Sequence, residues 1–312
     1  MHQNPESFFC ICPISNTVSL RQLDQKGTGP GARSSHAITL VGQKAYVFEG
    51  EFTPRVPVDN KLHVFDVKEQ TWYVIEGTRD VPPPCVGVTL VAVGEIIYVF
   101  GGRDYEHNEL YSFDTSTHKW TLISSGDTGP PHRSYHSVTS DDHHVYIFGG
   151  CGVAGRSMIY GPTMGGAGLL EVQGKIWVVY GFAGEEVDDV HILDPAHGEW
   201  AQVETNGKKP TARSVFSTVA ISKYIIIYGG EVDPSDLGHL GVGKFTAEVY
   251  ALDTETLLWK KWDDGLGLGH HPGPRGWCEF ARGQWKGKEG HLVYDGNSPT
   301  NDRLGDIHFF TP

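Results

Sequence analysis

The chain has 312 residues, 40 of them glycine, and a formal net charge of −13. A balance this acidic, without any Lys/Arg cluster, argues against nucleic acid or an anionic membrane surface as a partner. Five scattered cysteines form neither a disulfide framework nor a CxxC metal site, and no Asn-x-Ser/Thr acceptor occurs; both facts fit a reducing compartment, the cytoplasm and also the nucleus.

Residues 1–18 stand outside any pattern and are expected to be disordered or atypical. Their FFCICPI stretch is too short to span a membrane and has no Lys or Arg before it, unlike a signal peptide. From residue 19 onward a repeat dominates. Apolar runs end at Gly50 (AYVFEG), Gly102 (IIYVFGG), Gly150 (VYIFGG), Gly181 (IWVVYG), Gly230 (YIIIYGG) and Gly296 (HLVYDG). Most of these copies lie about 50 residues apart, a period that signals a repeat architecture.

Each copy carries companions at fixed offsets. Before it stands a Pro-x-x-Arg type turn and an apolar strand, as in GPGARSSHAITL and KPTARSVFSTVA. After it come an aromatic strand, an Asp turn and a Trp: Trp72, Trp120, Trp200 and Trp259. Apolar and aromatic runs punctuated by Gly, Pro and Asp read as four short strands per unit. Six such units predict an all-β, six-bladed propeller formed by residues 19–312 as one domain. The Trp residues are expected to fill the gaps between blades. SLRQL at the N-terminus is expected to close the last blade as its outer strand, with Leu20 in the place of a Trp.

One unit departs. After Gly150 only CGVAGRSMIYGPTMGGAG precedes the next inner strand. Blade three is therefore expected to be incomplete, or closed irregularly by SMIY, with an exposed edge.

Equivalent positions of the blades meet around one channel mouth. The residues after the glycines are Glu51, Arg103, Cys151, Ala183, Glu231 and Asn297. A second layer holds the turn arginines Arg33, Arg133, Arg213 and Arg275. Two readings of that layer stay open: an anion-binding mouth, or architectural bonds to backbone carbonyls. In blade five, GGEVDPSDLGHLG places Glu231, Asp236 and His239 on one loop. Glu, Asp and His together suit a divalent first-row ion, although a polar loop with Asx-type turns has the same composition.

The VFGG…FDTxTxxW unit resembles a kelch repeat. The stretches GEFTPRVPVDNKLHVFD, FGGRD, VQGKIWVVYGF, EVDDVH, KPTARSVFS, ALDTETLLW, RGW and SPTNDR are similar to the plant kelch proteins called specifier proteins, and to their plant relatives. That resemblance implies a lyase function in glucosinolate breakdown. A myrosinase would supply an anionic thiohydroximate-O-sulfate, and the protein, with Fe(II), would divert it to a nitrile, an epithionitrile or a thiocyanate. In this family the iron site reads Glu-x-x-x-Asp-x-x-x-His. Here Glu231 and His239 keep the span, while the aspartate is displaced by one residue to Asp236. The resemblance further implies that Arg103 binds the substrate's sulfate as the catalytic arginine, with Trp277 as an aromatic wall. The runner-up is a kelch scaffold without chemistry, binding a protein or small ligand at a propeller face.

Overall fold

The structure is a computed structural model. It describes residues 19–102, 107–126, 129–152, 164–237, 241, 243–266 and 271–311. The expected disorder of residues 1–18 and the SMIY closure of blade three lie outside the described residues.

All the regular structure described is strand. Blade one contains Ala37–Val41, Lys44–Phe48, Leu62–Asp66 and Thr71–Ile75, paired antiparallel in chain order. Blade two repeats this with Thr89–Val93, Ile96–Phe100, Leu110–Asp114 and Lys119–Ser124. Blade four runs Gly168–Val172, Lys175–Phe182, Glu186–Asp194 and Glu199–Gln202. Blade five holds Ser217–Ile221, Tyr224–Tyr228, Val249–Asp253 and Leu258–Asp263. In blade six, Glu279–Trp285, Lys288–Tyr294 and Ile307–Thr311 are joined by Ser19–Gln22 from the other end of the chain. The expected N-terminal closure is therefore present, with Leu20 opposite Phe310.

The innermost strands touch in a closed cycle of six. Five positions of that cycle carry sheets of four strands or more. The third carries two, Ser137–Ser140 and Val145–Phe148. Among the described residues blade three is thus short, as its sequence predicts.

Local chemistry explains the repeat. In blades one, two, four and five the aspartate ending the third strand folds an Asx turn. Asp66 Oδ1 accepts the Lys68 and Glu69 amides, and Asp114 and Asp253 act alike. The tryptophan that follows packs against the preceding blade. Trp120 lies 5.2 Å from Phe48, Trp72 5.2 Å from Tyr294 and Trp259 5.6 Å from Tyr180, centroid to centroid. Trp200 faces the short blade; it meets Phe148 at 6.0 Å and stays 51% exposed.

Two sets of backbone bonds lock neighbouring blades. In the first, the second glycine donates to the next blade's turn, as in Gly102 N to Arg133 O and Gly230 N to Arg275 O, each 2.9 Å. Gly230 has φ of 97° and a side chain there would collide with Phe216 and Ser214, so only glycine serves.

Candidate functional site

The second set of inter-blade bonds builds the channel mouth. The third residue of each inner turn lies in the left-handed region in all six blades: Ser35, Gly87, Tyr135, Gly166, Val215 and Trp277, with φ of 47–67°. Five of the six, all but Ser35, donate their amide to the preceding blade's carbonyl. The bonds Gly87 to Ser35, Tyr135 to Gly87, Val215 to Gly166 and Trp277 to Val215 measure 2.9–3.0 Å, and Gly166 to Tyr135 measures 3.4 Å. For Val215 the conformation is costly, since a β-branched residue resists positive φ. The ring of hydrogen bonds holds it there.

This ring aims two aromatic side chains at each other across the mouth. Tyr135 and Trp277 meet edge to face, with centroids 5.5 Å apart. Both line a central cavity of about 150 Å³ together with His36, Thr89, His136 and Glu279. Burial pushes the Glu279 carboxyl up to about 8 and holds the His36 imidazole well below its ordinary range, assisted by Arg33. The channel therefore favours neutral groups.

Around the aromatic floor stand polar walls. The residue after each glycine bridges the inner turn of its own blade: Glu51 with Ser34, Cys151 with Ser134, Phe182 with Gly165, Glu231 with Ser214 and Asn297 with Gly276. Phe182, not Ala183, thus holds the blade-four position, because Tyr180 and Gly181 stand where blades two, three and five carry a glycine pair. Glu51 is fully buried and accepts from Ser35 Oγ at 3.0 Å and from the Arg55 amide. Arg303 Nη2 approaches Glu51 Oε1 to 3.9 Å.

On the blade-five wall Glu231 is buried beside its own loop. A side chain at Gly243 would collide with its carboxylate, so this glycine leaves room for it. Glu186, from the adjacent blade, bonds Ser214 Oγ at 3.1 Å through Oε1. Its Oε2 is buried without a partner. Burial raises the Glu186 carboxyl to about 7, opposed by the Ser214 bond and aided by the charge of Glu231.

Of the residues predicted from sequence, the structure brings Glu231 and Trp277 to the mouth. Asp236 sits on an exposed turn. Arg103 and His239 lie outside the described residues. The turn arginines answer their open question. Arg33, Arg133, Arg213 and Arg275 each donate Nη1 to the carbonyl of the first residue of their own blade's glycine pair or its equivalent, at 2.7–3.1 Å. Three of them are buried to 0–1% exposure. They are architectural and do not form an anion-binding mouth. Sequence reading missed Glu186 and Arg303, although both fall in or beside stretches, EVDDVH and SPTNDR, that carried the resemblance.

Among the described residues no cluster of three metal-binding side chains occurs. What is present is a carboxylate pair, Glu231 and Glu186, with one orphaned buried oxygen and a glycine cradle. Two such carboxylates repel unless a proton or a cation neutralises them. An all-oxygen pair of this kind fits a divalent cation of hard or borderline character.

With this geometry in view, comparison with known proteins decides the family. The KLHDC2/KLHL20/DRC7 Kelch-repeats domain matches residues 35–161, and the Kelch motif matches residues 164–207. The N-(sulfonatooxy)prop-2-enimidothioate sulfolyase of Thlaspi arvense is 38% identical over 93% of this chain and 95% of its own. The chain belongs to the plant kelch family of specifier proteins. Other kelch proteins are more distant from this specifier-family chain. Acyl-CoA-binding domain-containing protein 4 of Arabidopsis thaliana is 26% identical over 79% of the chain but only 34% of its own length. Kelch domain-containing protein 3 of Rattus norvegicus is 24% identical over 73% of the chain and 71% of its own. The solved structure of YjhT superimposes with a TM-score of 0.66 over 91% of this chain and 98% of its own, at 14% identity, which supports the propeller fold alone.

Proposed function

We propose that this protein is a specifier-type lyase that converts thiohydroximate-O-sulfates, released from glucosinolates by a myrosinase, to nitriles. The observation that carries this reading is the 38% identity to the Thlaspi sulfolyase, spread over 95% of that enzyme. The mouth offers what such a substrate needs. Tyr135 and Trp277 form an aromatic floor for the aglycone side chain. Arg103, by resemblance, orients the sulfate through charge-assisted hydrogen bonds.

The reaction balances without a protein nucleophile. The N–O bond breaks and its electron pair leaves with sulfate. The C–S bond breaks, and its pair becomes the new carbon–nitrogen bond of the nitrile. Sulfur departs as a neutral atom, so both sides carry charge −2. The residues that would hold Fe(II) are Glu231, His239 and Asp236, with Glu186 adjoining. Bound there, the ion would supply Lewis-acid charge toward the substrate's thiolate. The protein's own part is to position the sulfate and the thiolate and to keep water from the aromatic floor. Cytosolic placement suits this role.

Fe(II) titrated anaerobically into the full chain, followed by assay with a myrosinase and allyl glucosinolate, tests the reading. Saturable binding with nitrile formation is expected, both lost in the Glu231→Ala/His239→Ala double variant. Isothiocyanate as the sole product, with and without Fe(II), would overturn it. The exposed Asp236 would then favour the second reading, a kelch scaffold that binds its ligand at the mouth without chemistry.

A further inference from the structure

A buried arginine at the mouth has donors that the protein does not use. The Arg303 side chain is 4% exposed. It leaves a rigid hairpin. Leu304 N bonds Gly296 O at 2.9 Å, Ser298 N bonds Asp302 O at 3.0 Å, and Arg303 itself bridges Asn297. A guanidinium carries five N–H donors. Nη1 reaches the carbonyl and the side-chain oxygen of Asn301, at 3.3 and 3.2 Å. Nη2 stands 3.9 Å from Glu51 Oε1, beyond a hydrogen bond. Nε is buried with no partner, and so is the neighbouring Asn297 Oδ1.

Arg33 and Arg275 share the orphaned Nε, so the contrast lies in the terminal nitrogens and the carboxylates they hold. Arg275 holds Asp306 through both of its terminal nitrogens, at 2.7 and 2.9 Å. Arg213 is 3.3 Å from Glu248. Those guanidinium charges are matched from within the blade. Arg303 has only a long ion pair with Glu51 at 3.9 Å, short of a hydrogen bond, and Glu51 is itself engaged by Ser35 and the Arg55 amide. Burial pulls the Arg303 guanidinium below its ordinary range, against Glu51 and Tyr135, which favour its charge. A buried cation left short of acceptors is expensive unless something arrives to complete it.

We infer that Arg303 is an anion subsite of the mouth and that it takes the sulfate-ester group of the substrate. This deepens, and rests on, the lyase reading above, in which the anion is otherwise assigned to Arg103. Its planar fork suits two oxygens of a tetrahedral oxyanion, and the Trp277 floor, reached through the Gly276–Asn297 bridge, puts the organic part of the molecule beside it.

Calorimetric titration of the full chain with methyl sulfate, and with inorganic sulfate, tests this without any turnover. The wild-type protein is expected to bind methyl sulfate saturably. Arg303→Met is expected to weaken binding at least tenfold. Arg303→Lys, which keeps the charge and loses the fork, is expected to fall between them. Arg282→Met, at an exposed pair with Glu289, controls for net charge and is expected to bind like wild type. Should Arg303→Met fail to fold, the Lys variant decides. Absence of methyl sulfate binding to wild type overturns the subsite, as does wild-type affinity in the Arg303 variants. The outcome is separate from nitrile formation, so a protein that fails the myrosinase assay can still pass this one, and the reverse.

Discussion

The rings of Tyr135 and Trp277 meet edge to face at 80° across the channel, although they belong to blades three and six, which stand opposite in the cycle. The two rings meet where both line the central cavity. Each ring is placed by its backbone, at φ of 55° and 56°, more than by local packing. A double-mutant cycle on Tyr135→Ala and Trp277→Ala in urea is expected to give a coupling of about 0.5–1.5 kcal/mol, typical of aromatic pairs. Additive single effects would mean that the rings do not support one another.

The repeat was legible in the sequence because each blade solves one problem with the same residues. The Asx turn after Asp66, the glycine at Gly230 and the tryptophan at Trp120 recur, and so does their geometry. Arg303 and Glu186 were not legible as site residues. Their roles arise where side chains from different blades converge, at Glu51 for one and Glu231 for the other, and no spacing along the chain encodes that meeting. The turn arginines mislead for the converse reason. Repetition makes them conspicuous, and repetition is the mark of architecture.

The tryptophans supply a stability test of the short blade. Trp120 is 1% exposed and Trp200 51%, yet both occupy the same place in the repeat. Trp120→Ala is expected to cost about 3–5 kcal/mol. Trp200→Ala is expected to cost about 1 kcal/mol or less, since it removes little buried surface. Equal losses in thermal unfolding would show that blade three buries Trp200 in solution.

Blade six is anchored by Arg275 and Asp306. Burial alone would raise the Asp306 carboxyl, but bonds from Arg275 and from His308 Nε2, the latter at 2.8 Å, hold it well below the usual range. A carboxyl depressed in the folded state binds its proton more readily when unfolded. Its stabilisation is therefore complete above the unfolded value of 3.8 and is lost as pH falls below it. Asp306→Asn is expected to lower stability by about 3 kcal/mol at pH 7, because it strands a buried guanidinium. The variant is also expected to lose less on going to pH 3 than wild type does. A parallel acid limb in chemical denaturation would contradict the assignment.

Glu279 acts in the opposite direction. Burial in the channel wall raises it to about 8. Between its ordinary value of 4.5 and about 8 the folded state keeps a proton that the unfolded state releases. Stability accordingly falls with rising pH across that window, by up to about 1.4 kcal/mol per unit. Glu279→Gln is expected to remove that slope, gaining on wild type at pH 8 and differing little at pH 4. Stability curves that stay parallel from pH 4 to 8 would place Glu279 in contact with water.

The last prediction concerns the carboxylate pair. Glu186 and Glu231 raise each other's cost in the metal-free protein, and a divalent ion reverses the sign of that interaction. Glu186→Gln is therefore expected to stabilise the metal-free chain at pH 8, because it removes one of two facing charges. The same change is expected to diminish the stabilisation conferred by Fe(II) or Mn(II). An ion bound to the folded state alone adds about 2.7 kcal/mol at a hundredfold excess over its Kd, so a tenfold loss of affinity is readable as a reduced shift in Tm. The two effects oppose one another in a single variant, which separates a cation site from a mere acidic patch. A Glu186→Gln protein that is destabilised without metal, or that responds to the ion as wild type does, would show that Glu186 serves Ser214 alone.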